Sequence, residues 1–171
     1  MRFCAHIFLR IRIKIIMEYN REEAVKYALK WAMSANPEFH HFGDEGGDCT
    51  NYVSQCLYAG GAPMNYSANG WYYKSGTVYS ESWVGVIALG EFLTRRSDTA
   101  GPKGEIVPRE EIEVGDIIQL RQNPYYFNHS VIVTKIENGE IYVCAHTYDS
   151  LDRPLSSYKF QELRFIHITS V

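Results

Sequence analysis

The stretch GGDCTNYVSQCLYAGG, from Gly46 to Gly61, constrains the fold more than any other part of the chain. Paired glycines enclose about three helical turns, with Asp48 suited to the N-cap and Gly60 or Gly61 to the residue after the last turn. Cys49 then lies in the first turn, where unpaired backbone N–H groups and the helix dipole favour thiolate over thiol. Its helical face also carries apolar side chains, so we predict a thiol at the rim of the core.

Length and composition indicate one globular domain. The chain has 171 residues, 46% of them apolar and 22% charged, which is enough for a single hydrophobic core over residues 17–171. A net charge of −3 gives no basic surface, which argues against a nucleic-acid partner. The four cysteines lack the paired spacing of a metal site and are too few for a disulfide framework. The adjacent His40 and His41 have no further spaced ligands, so we predict no metal ion and no cofactor.

Residues 1–16 differ from the rest and form an uncertain N-terminal extension. Basic residues interrupt their apolar run, so no segment approaches the roughly 20 residues of a membrane span. The charges lie inside the apolar run and not before it, which is unlike a secretory signal and favours a cytoplasmic location. The alternation fits an edge strand or a basic surface-binding segment. A translation start at Met17, which would leave these residues untranslated, fits equally well.

The pattern along the chain changes from helices to strands. An Asn20 cap and apolar periodicity predict a helix from Asn20 to Ala35, and a second period predicts one from Val84 to Arg95. Residues 61–84 and 97–108 have the composition of connections. Strands are predicted over residues 117–120, 129–136, 141–146 and 164–169. Helices followed by an antiparallel sheet indicate an α+β domain with the helices on one face of the sheet.

The connection over residues 61–84 is long and aromatic. A long loop inside a compact domain is often functional, so Trp71 and Trp83 are candidates to hold a substrate in a cleft. Asp48, beside the cysteine, is a further candidate substrate contact. The competing interpretation is that both tryptophans are core residues.

The hairpin around Asn138-Gly139 predicts which residues face each other. A two-residue turn places His129 and His146 as diagonal neighbours on one face of the sheet, about 7–8 Å apart at Cα. Tyr148 would then lie opposite His129, and Asp149 would point to the other face. The register favours His146 as the group that orients His129. One bulge would overturn this, and Tyr148 or Asp149 would then be the alternatives.

Three motifs, in order, carry a family resemblance: GGDCTNYVSQ at 46–55, NHSVIVT at 128–134 and AHTYD at 145–149. From about Tyr19 onwards the chain resembles the bacterial "putative amidase domain", a papain-like family related to the NlpC-type and CHAP-type cell-wall amidases and peptidases. The resemblance implies a papain-like sheet packed against the cysteine helix. It also implies hydrolysis of amide or peptide bonds without a cofactor. The lack of an export signal and of a second, wall-binding domain departs from the related wall-lytic enzymes.

A Cys–His pair can form thiolate and imidazolium, which is a strong nucleophile at neutral pH. In this hypothesis Cys49 is the nucleophile, and His129 is the general base that later protonates the leaving amine. His146 would accept a hydrogen bond from the second ring nitrogen of His129 and so fix its tautomer. The backbone N–H of Cys49 would meet the developing oxyanion.

Two hypotheses follow, from different classes of protein. The first is a cysteine hydrolase acting on a small amide or peptide, with cell-wall-derived peptides among the candidate substrates. The second is a catalytically silent papain-like module that binds a peptide or glycan in an aromatic cleft. Acyl or thioester transfer by the same dyad is a third option. The ionisation of Cys49 near neutral pH separates the first from the second, because a silent site has no need of a thiolate.

Overall fold

The computed structural model describes residues 18–45 and 47–171. The predicted extension over residues 1–16 and the alternative start at Met17 lie outside these residues. The helices that the structure describes are α1 (Arg21–Trp31), α2 (Cys49–Ala59), α3 (Glu81–Val84) and α4 (Val86–Leu93). The strands are β1 (Tyr73–Ser75), β2 (Val78–Tyr79), β3 (Lys103–Ile106), β4 (Ile117–Arg121), β5 (His129–Glu137), β6 (Glu140–Ala145), β7 (Ser150–Pro154) and β8 (Glu162–Ser170).

Six of the strands form one antiparallel sheet in the order β3-β8-β4-β5-β6-β7, and β1 and β2 form a separate hairpin. The four described helices precede all of this sheet in the chain and pack on one of its faces. The α+β prediction is therefore confirmed. No helix in the described part of the chain is long and apolar enough to cross a membrane.

The central strands are apolar on both faces because each face is covered. Along β4, Ile117 belongs to the core beneath the helices, whereas Ile118 and Leu120 belong to a second core on the opposite face. The second core is closed by residues 107–114 and 155–158, which include short 3₁₀ turns. Side chains that alternate along one strand thus enter two different cores.

Helix α1 begins as predicted, with the Asn20 side chain accepting a hydrogen bond from the Glu23 N–H at 3.0 Å. The Asn20 N–H donates to the Gly60 carbonyl at 2.9 Å, which joins the start of α1 to the end of α2. The helix ends at Trp31 and not at Ala35 as predicted. The Trp31 carbonyl accepts a hydrogen bond from His146, so tertiary contacts help to fix the end of this helix.

Helix α2 has the predicted bounds. It begins at Cys49 and ends at Ala59, and Gly61 has a φ of +96°, a conformation that suits glycine after a helix. Asp48 occupies the N-cap position, but its side chain makes no capping hydrogen bond. The predicted capping role of this carboxylate is therefore wrong, and its oxygens bind elsewhere.

The hairpin of β5 and β6 forms around Asn138-Gly139, both of which have positive φ, as a type I′ turn requires. Glu137 faces Glu140 as predicted, but the register shifts between Val133 and Lys135. Thr134 is the extra residue, and its hydroxyl donates to Asp152 at 2.6 Å. Beyond this bulge, every β5 residue faces a β6 position one residue away from the predicted one.

Two predicted connections contain regular structure. Residues 97–108 include β3, which pairs with β8, and residues 61–84 include the β1–β2 hairpin and all of α3. The predicted helix over residues 84–95 is α4, preceded by the separate short turn of α3. Strand β7 was not predicted, because its sequence SLDRP has no apolar alternation.

Candidate active site

Cys49 is the first residue of α2, and its side chain is buried against the start of β5. Thr50 connects it to that strand, with its hydroxyl 3.8 Å from the Cys49 sulfur and 3.2 Å from the Ser130 hydroxyl. The sulfur also accepts a hydrogen bond from the Ser130 backbone. The thiol thus lies at the rim of the core, at the N-terminus of a helix, as predicted.

The surroundings of Cys49 favour the protonated thiol. Burial raises its pKa and the negative charge of Asp48 adds to the rise, whereas hydrogen bonds from Ser130 and Thr50 act in the opposite direction. Burial outweighs them, so the pKa of Cys49 is raised from its ordinary value. This shift is opposite in direction to the one predicted from the helix N-terminus.

Asp48 is fully buried and accepts several hydrogen bonds. Its Oδ1 accepts from the Phe42 N–H at 2.8 Å and from the Asn51 amide at 2.8 Å, and its Oδ2 lies 2.6 Å from His146 Nδ1. Burial would raise its pKa, but these hydrogen bonds and the charge of His146 hold the pKa below its usual value. The carboxylate therefore anchors the start of α2, and its role as a substrate contact stays a prediction.

His146 is held on both sides of its ring. Nδ1 binds Asp48, Nε2 lies 2.8 Å from the Trp31 carbonyl, and the Tyr52 ring stacks on the imidazole at 4.1 Å. Both partners only accept hydrogen bonds, so both ring nitrogens donate and the ring is an imidazolium. Burial would lower its pKa, but the bonds to Asp48 and Trp31 raise it overall.

His129 is the first residue of β5, and its ring points away from the helices. The ring packs against Tyr158 at 5.9 Å between centroids, within the second core. Among the described residues, neither ring nitrogen has a hydrogen-bond partner. Burial and the nearby Arg153 charge lower the pKa of His129 to about 4, so the ring is neutral near pH 7.

The structure brings Cys49, Asp48 and His146 together on the helix-covered face and places the His129 ring on the other face. The predicted pairing of His129 with His146 is wrong, because the bulge at Thr134 shifts the register. Continued from the pair Ile132–Cys144, this register sets His146 opposite Ser130. His146 has no nitrogen left to accept a hydrogen bond from His129.

The two alternative third residues do not contact His129 either. Tyr148 is 82% exposed and Asp149 is also exposed. They follow Thr147, a β-branched residue with a φ of +67° whose hydroxyl accepts a hydrogen bond from the Asp48 N–H at 2.6 Å. The chain turns away from the sheet here, which separates Tyr148 from the position opposite His129.

Trp71 and Trp83 are core residues. Both side chains are fully buried, with their indole N–H groups bonded to Ser54 at 3.0 Å and Asn51 at 2.8 Å, respectively. They therefore pack with α2 in the core beneath the helices and do not line a cleft. The structure thus agrees with the competing interpretation, in which both tryptophans are core residues.

His41 and Thr147 belong to the site, and sequence reasoning did not place them there. His41 Nε2 lies 3.8 Å from Asp48 Oδ2, and the ring centroids of His41 and His146 are 5.8 Å apart. The adjacent His40 and His41 were a visible signal, but the sequence does not show that one ring points to Asp48. The positive φ of Thr147 has no signal in the sequence.

Comparison with known proteins identifies the family. The model of the "Putative amidase domain" family matches residues 18–169. Two proteins of Bacillus subtilis (strain 168) are similar. "Uncharacterized protein YhbB" is 37% identical over 139 residues, which cover 78% of this chain and 43% of that protein. "Uncharacterized protein YjcM" is 29% identical over 156 residues, which cover 85% and 35%, respectively.

This chain therefore spans less than half the length of either relative. No solved structure matches. The family match covers nearly all the described residues, from α1 through the cysteine helix to β8. The chain belongs to the "Putative amidase domain" family.

Proposed function

We propose that this domain hydrolyses amide bonds through Cys49, with His129 as the general base. One observation carries the proposal. The Cys49 sulfur, at the N-terminus of α2, accepts a hydrogen bond from the backbone of Ser130, which directly follows His129. The sulfur of the candidate nucleophile therefore contacts the residue next to the candidate base. Membership in the family adds the amide as the bond that is cut.

The start of α2 supplies the electrostatic part of the mechanism. Attack by the sulfur on the carbonyl carbon places negative charge on the carbonyl oxygen, and unpaired N–H groups of the first helical turn can donate to it. The Cys49 N–H is the first of these donors. Losing one such donor typically costs about 2.7–4 kcal/mol of transition-state stabilisation.

His129 takes the Cys49 proton as the sulfur attacks. Its ring is neutral, as a base must be, and no hydrogen bond among the described residues holds it against Tyr158. Because a strand side chain stays on its own face of the sheet, the backbone at the start of β5 would have to move to bring the ring towards the sulfur. The Cys49–carbonyl bond forms, the C–N bond breaks, and the proton passes from His129 to the leaving amine. Water then hydrolyses the thioester, with His129 again as the base.

Asp48 and His146 act as positioning residues in this mechanism. The ion pair joins the residue before Cys49 to the end of β6, and through Trp31 to α1. His146 thus fixes the start of α2 and not the tautomer of His129. This role replaces the one that the sequence suggested.

The substrate class is a small amide or peptide. Cell-wall-derived peptides are the narrower proposal, and it rests on the resemblance of the three motifs to wall-lytic families. A cytoplasmic location, as proposed from the sequence, would make released wall peptides the natural form of such a substrate.

Substitution of the nucleophile and of the base tests the proposal. Cys49→Ser and His129→Gln should each lower the turnover of a panel of peptide amides, including cell-wall stem peptides, by at least about a thousandfold. Cys56→Ser is the matched control, since Cys56 lies on the same helix but is fully buried in the core. Near-wild-type turnover in either of the first two variants, with unchanged circular dichroism, would overturn the assignment.

A specific observation favours a second candidate, the catalytically silent binding module. The raised pKa of Cys49 and the packing of His129 against Tyr158 describe an uncharged, separated pair. In that case the exposed Tyr125, Tyr126 and Tyr148, and not the buried tryptophans, would be among the aromatic side chains available to a ligand. The reactivity of Cys49 separates the two candidates.

A further inference from the structure

We propose that His41, Asp48 and His146 form a binding site for a divalent metal ion of the zinc class. Each residue offers one ligand atom, and these three atoms lie within 4.8 Å of one another. Two imidazole nitrogens and a carboxylate oxygen are a donor set that suits zinc and related transition metals. The site uses neither Cys49 nor His129, but it shares Asp48 and His146 with the ion pair that positions the start of α2.

The distances are close to those that a bound ion requires. Metal–ligand bonds of about 2.0–2.1 Å in a tetrahedral arrangement place two ligand atoms about 3.3 Å apart. His146 Nδ1 and Asp48 Oδ2 are 2.6 Å apart, and His41 Nε2 and Asp48 Oδ2 are 3.8 Å apart. Each of these two distances has to change by less than about 1 Å, and the ligand atoms of His41 and His146 lie within 4.8 Å of each other. The ion would displace the proton on His146 Nδ1, which would leave for the solvent.

The outer shell of such a site is already in place. Metal-binding histidines usually donate their second ring N–H to a carbonyl or carboxylate, and His146 Nε2 donates to the Trp31 carbonyl. Metal-binding carboxylates are themselves hydrogen-bonded, and Asp48 Oδ1 accepts from Phe42 and Asn51. Tyr52 stacks on the His146 ring and fixes its plane. Two of the three ligands are thus oriented before an ion arrives.

His41 provides access from solvent. Its side chain is 46% exposed, whereas that of Asp48 is 1% exposed. The ring lies over Gly43, where any side chain would clash with it, so glycine at this position lets the imidazole lie over the loop towards Asp48. An ion would therefore enter beside His41, with the remaining coordination positions open to water.

Zinc titration by isothermal calorimetry tests this proposal on the whole chain. All proteins carry Cys49→Ser, which removes the neighbouring thiol as a competing ligand. We expect one zinc ion per chain, and His41→Ala should weaken its binding by at least about tenfold, because even loss of an outer-shell partner costs about 10–100-fold. His40→Ala is the matched control, because His40 is also exposed and its ring binds Glu45 at 2.7 Å. Its affinity should be unchanged. Equal affinities in the His41 and His40 variants would overturn the proposal.

Cobalt substitution gives a second readout that does not depend on affinity. Cobalt bound by two histidines and a carboxylate should give a visible d–d band without a thiolate charge-transfer band. His41→Ala, which changes an exposed side chain and should fold normally, should lose or shift that band. A spectrum identical to that of hydrated cobalt in the parent protein would mean that Asp48 and His146 form an ion pair only. The proposal would then be wrong.

Discussion

At the scale of single residues, the two histidines of the candidate site differ because of their partners. His146 meets a carboxylate and a carbonyl and so carries a proton on each nitrogen. His129 meets an aromatic ring and a nearby arginine and so stays neutral. Only a neutral imidazole can accept the proton of Cys49. This neutrality is why we propose His129 as the base, although its ring lies on the opposite face of the sheet.

The Tyr158 hydroxyl, on the ring that packs against His129, gives a prediction about stability. The Tyr158 hydroxyl is buried and has no hydrogen-bond partner among the described residues. Tyr158→Phe should therefore leave the free energy of unfolding unchanged or raise it by about 1 kcal/mol, because a buried unsatisfied hydroxyl is removed. Urea unfolding measures this. A loss above about 1 kcal/mol would mean that the hydroxyl has a hydrogen-bond partner and would contradict the prediction.

The titration of His129 predicts a pH dependence. Its pKa of about 4 in the folded chain lies below the 6.5 of the unfolded chain, so the unfolded state binds the additional proton between these values. The contribution of neutral His129 to stability is complete above pH 6.5 and falls by about 3 kcal/mol as the pH approaches 4. His129→Gln should lack this loss. Urea unfolding of both proteins at pH 7, 5.5 and 4.5 compares them, and parallel curves would contradict the prediction.

At the scale of secondary-structure elements, the Asp48–His146–Trp31 chain of hydrogen bonds joins three element ends. It links the start of α2, the end of β6 and the end of α1. The Asn20 N–H to Gly60 carbonyl bond joins α1 and α2 again at the far end. The cysteine helix is thus held at both ends, and a nucleophile fixed in this way needs little reorganisation.

Breaking the ion pair should destabilise the chain strongly. His146→Gln leaves the buried Asp48 carboxylate without its charged partner, and such a loss typically costs about 3–5 kcal/mol. Lys26→Ala removes the exposed contact with Glu23 at 3.3 Å and should change stability by less than about 0.5 kcal/mol. Urea unfolding near pH 6 measures both.

The choice of pH 6 for this unfolding measurement follows from the directions in which the pKa values of His146 and Asp48 are shifted. The pKa of His146 is raised, so its contribution is complete below 6.5 and is lost as the pH rises through its folded value. The pKa of Asp48 is lowered, so its contribution is complete above 3.8 and is lost at acid pH. Both contributions are complete at pH 6. A loss in His146→Gln no larger than that in Lys26→Ala would show that the pair is not anchoring α2.

The elements differ in how well the sequence predicts them. The bounds of α2 and the Asn138-Gly139 turn follow from local chemistry, in which glycine tolerates positive φ and the glycines flank apolar runs. The bulge at Thr134 does not, because its hydroxyl binds Asp152, a residue of the later strand β7. With this bulge, His129 and His146 lie on opposite faces of the sheet, although the sequence predicted that they share one face.

At the scale of the whole molecule, the sheet separates two hydrophobic cores, and the candidate site crosses it. Cys49 and His146 belong to the helix-covered side, and His129 to the side closed by residues 107–114 and 155–158. The α+β class was predictable, because helices precede strands in the sequence. The second core was not, because the 3₁₀ turns that close it have no periodic pattern.

The rate of Cys49 alkylation tests the central claim most directly, because it needs no known substrate. Iodoacetamide modification at pH 6.5, in the presence of EDTA, is followed by peptide mass spectrometry in wild type, His129→Gln and the control His40→Gln. The fully buried Cys56 and Cys144 serve as unreactive internal references. If His129 is the base of Cys49, wild type and His40→Gln should react at least about tenfold faster than His129→Gln. Equal rates in all three proteins would contradict the account and indicate the silent binding module.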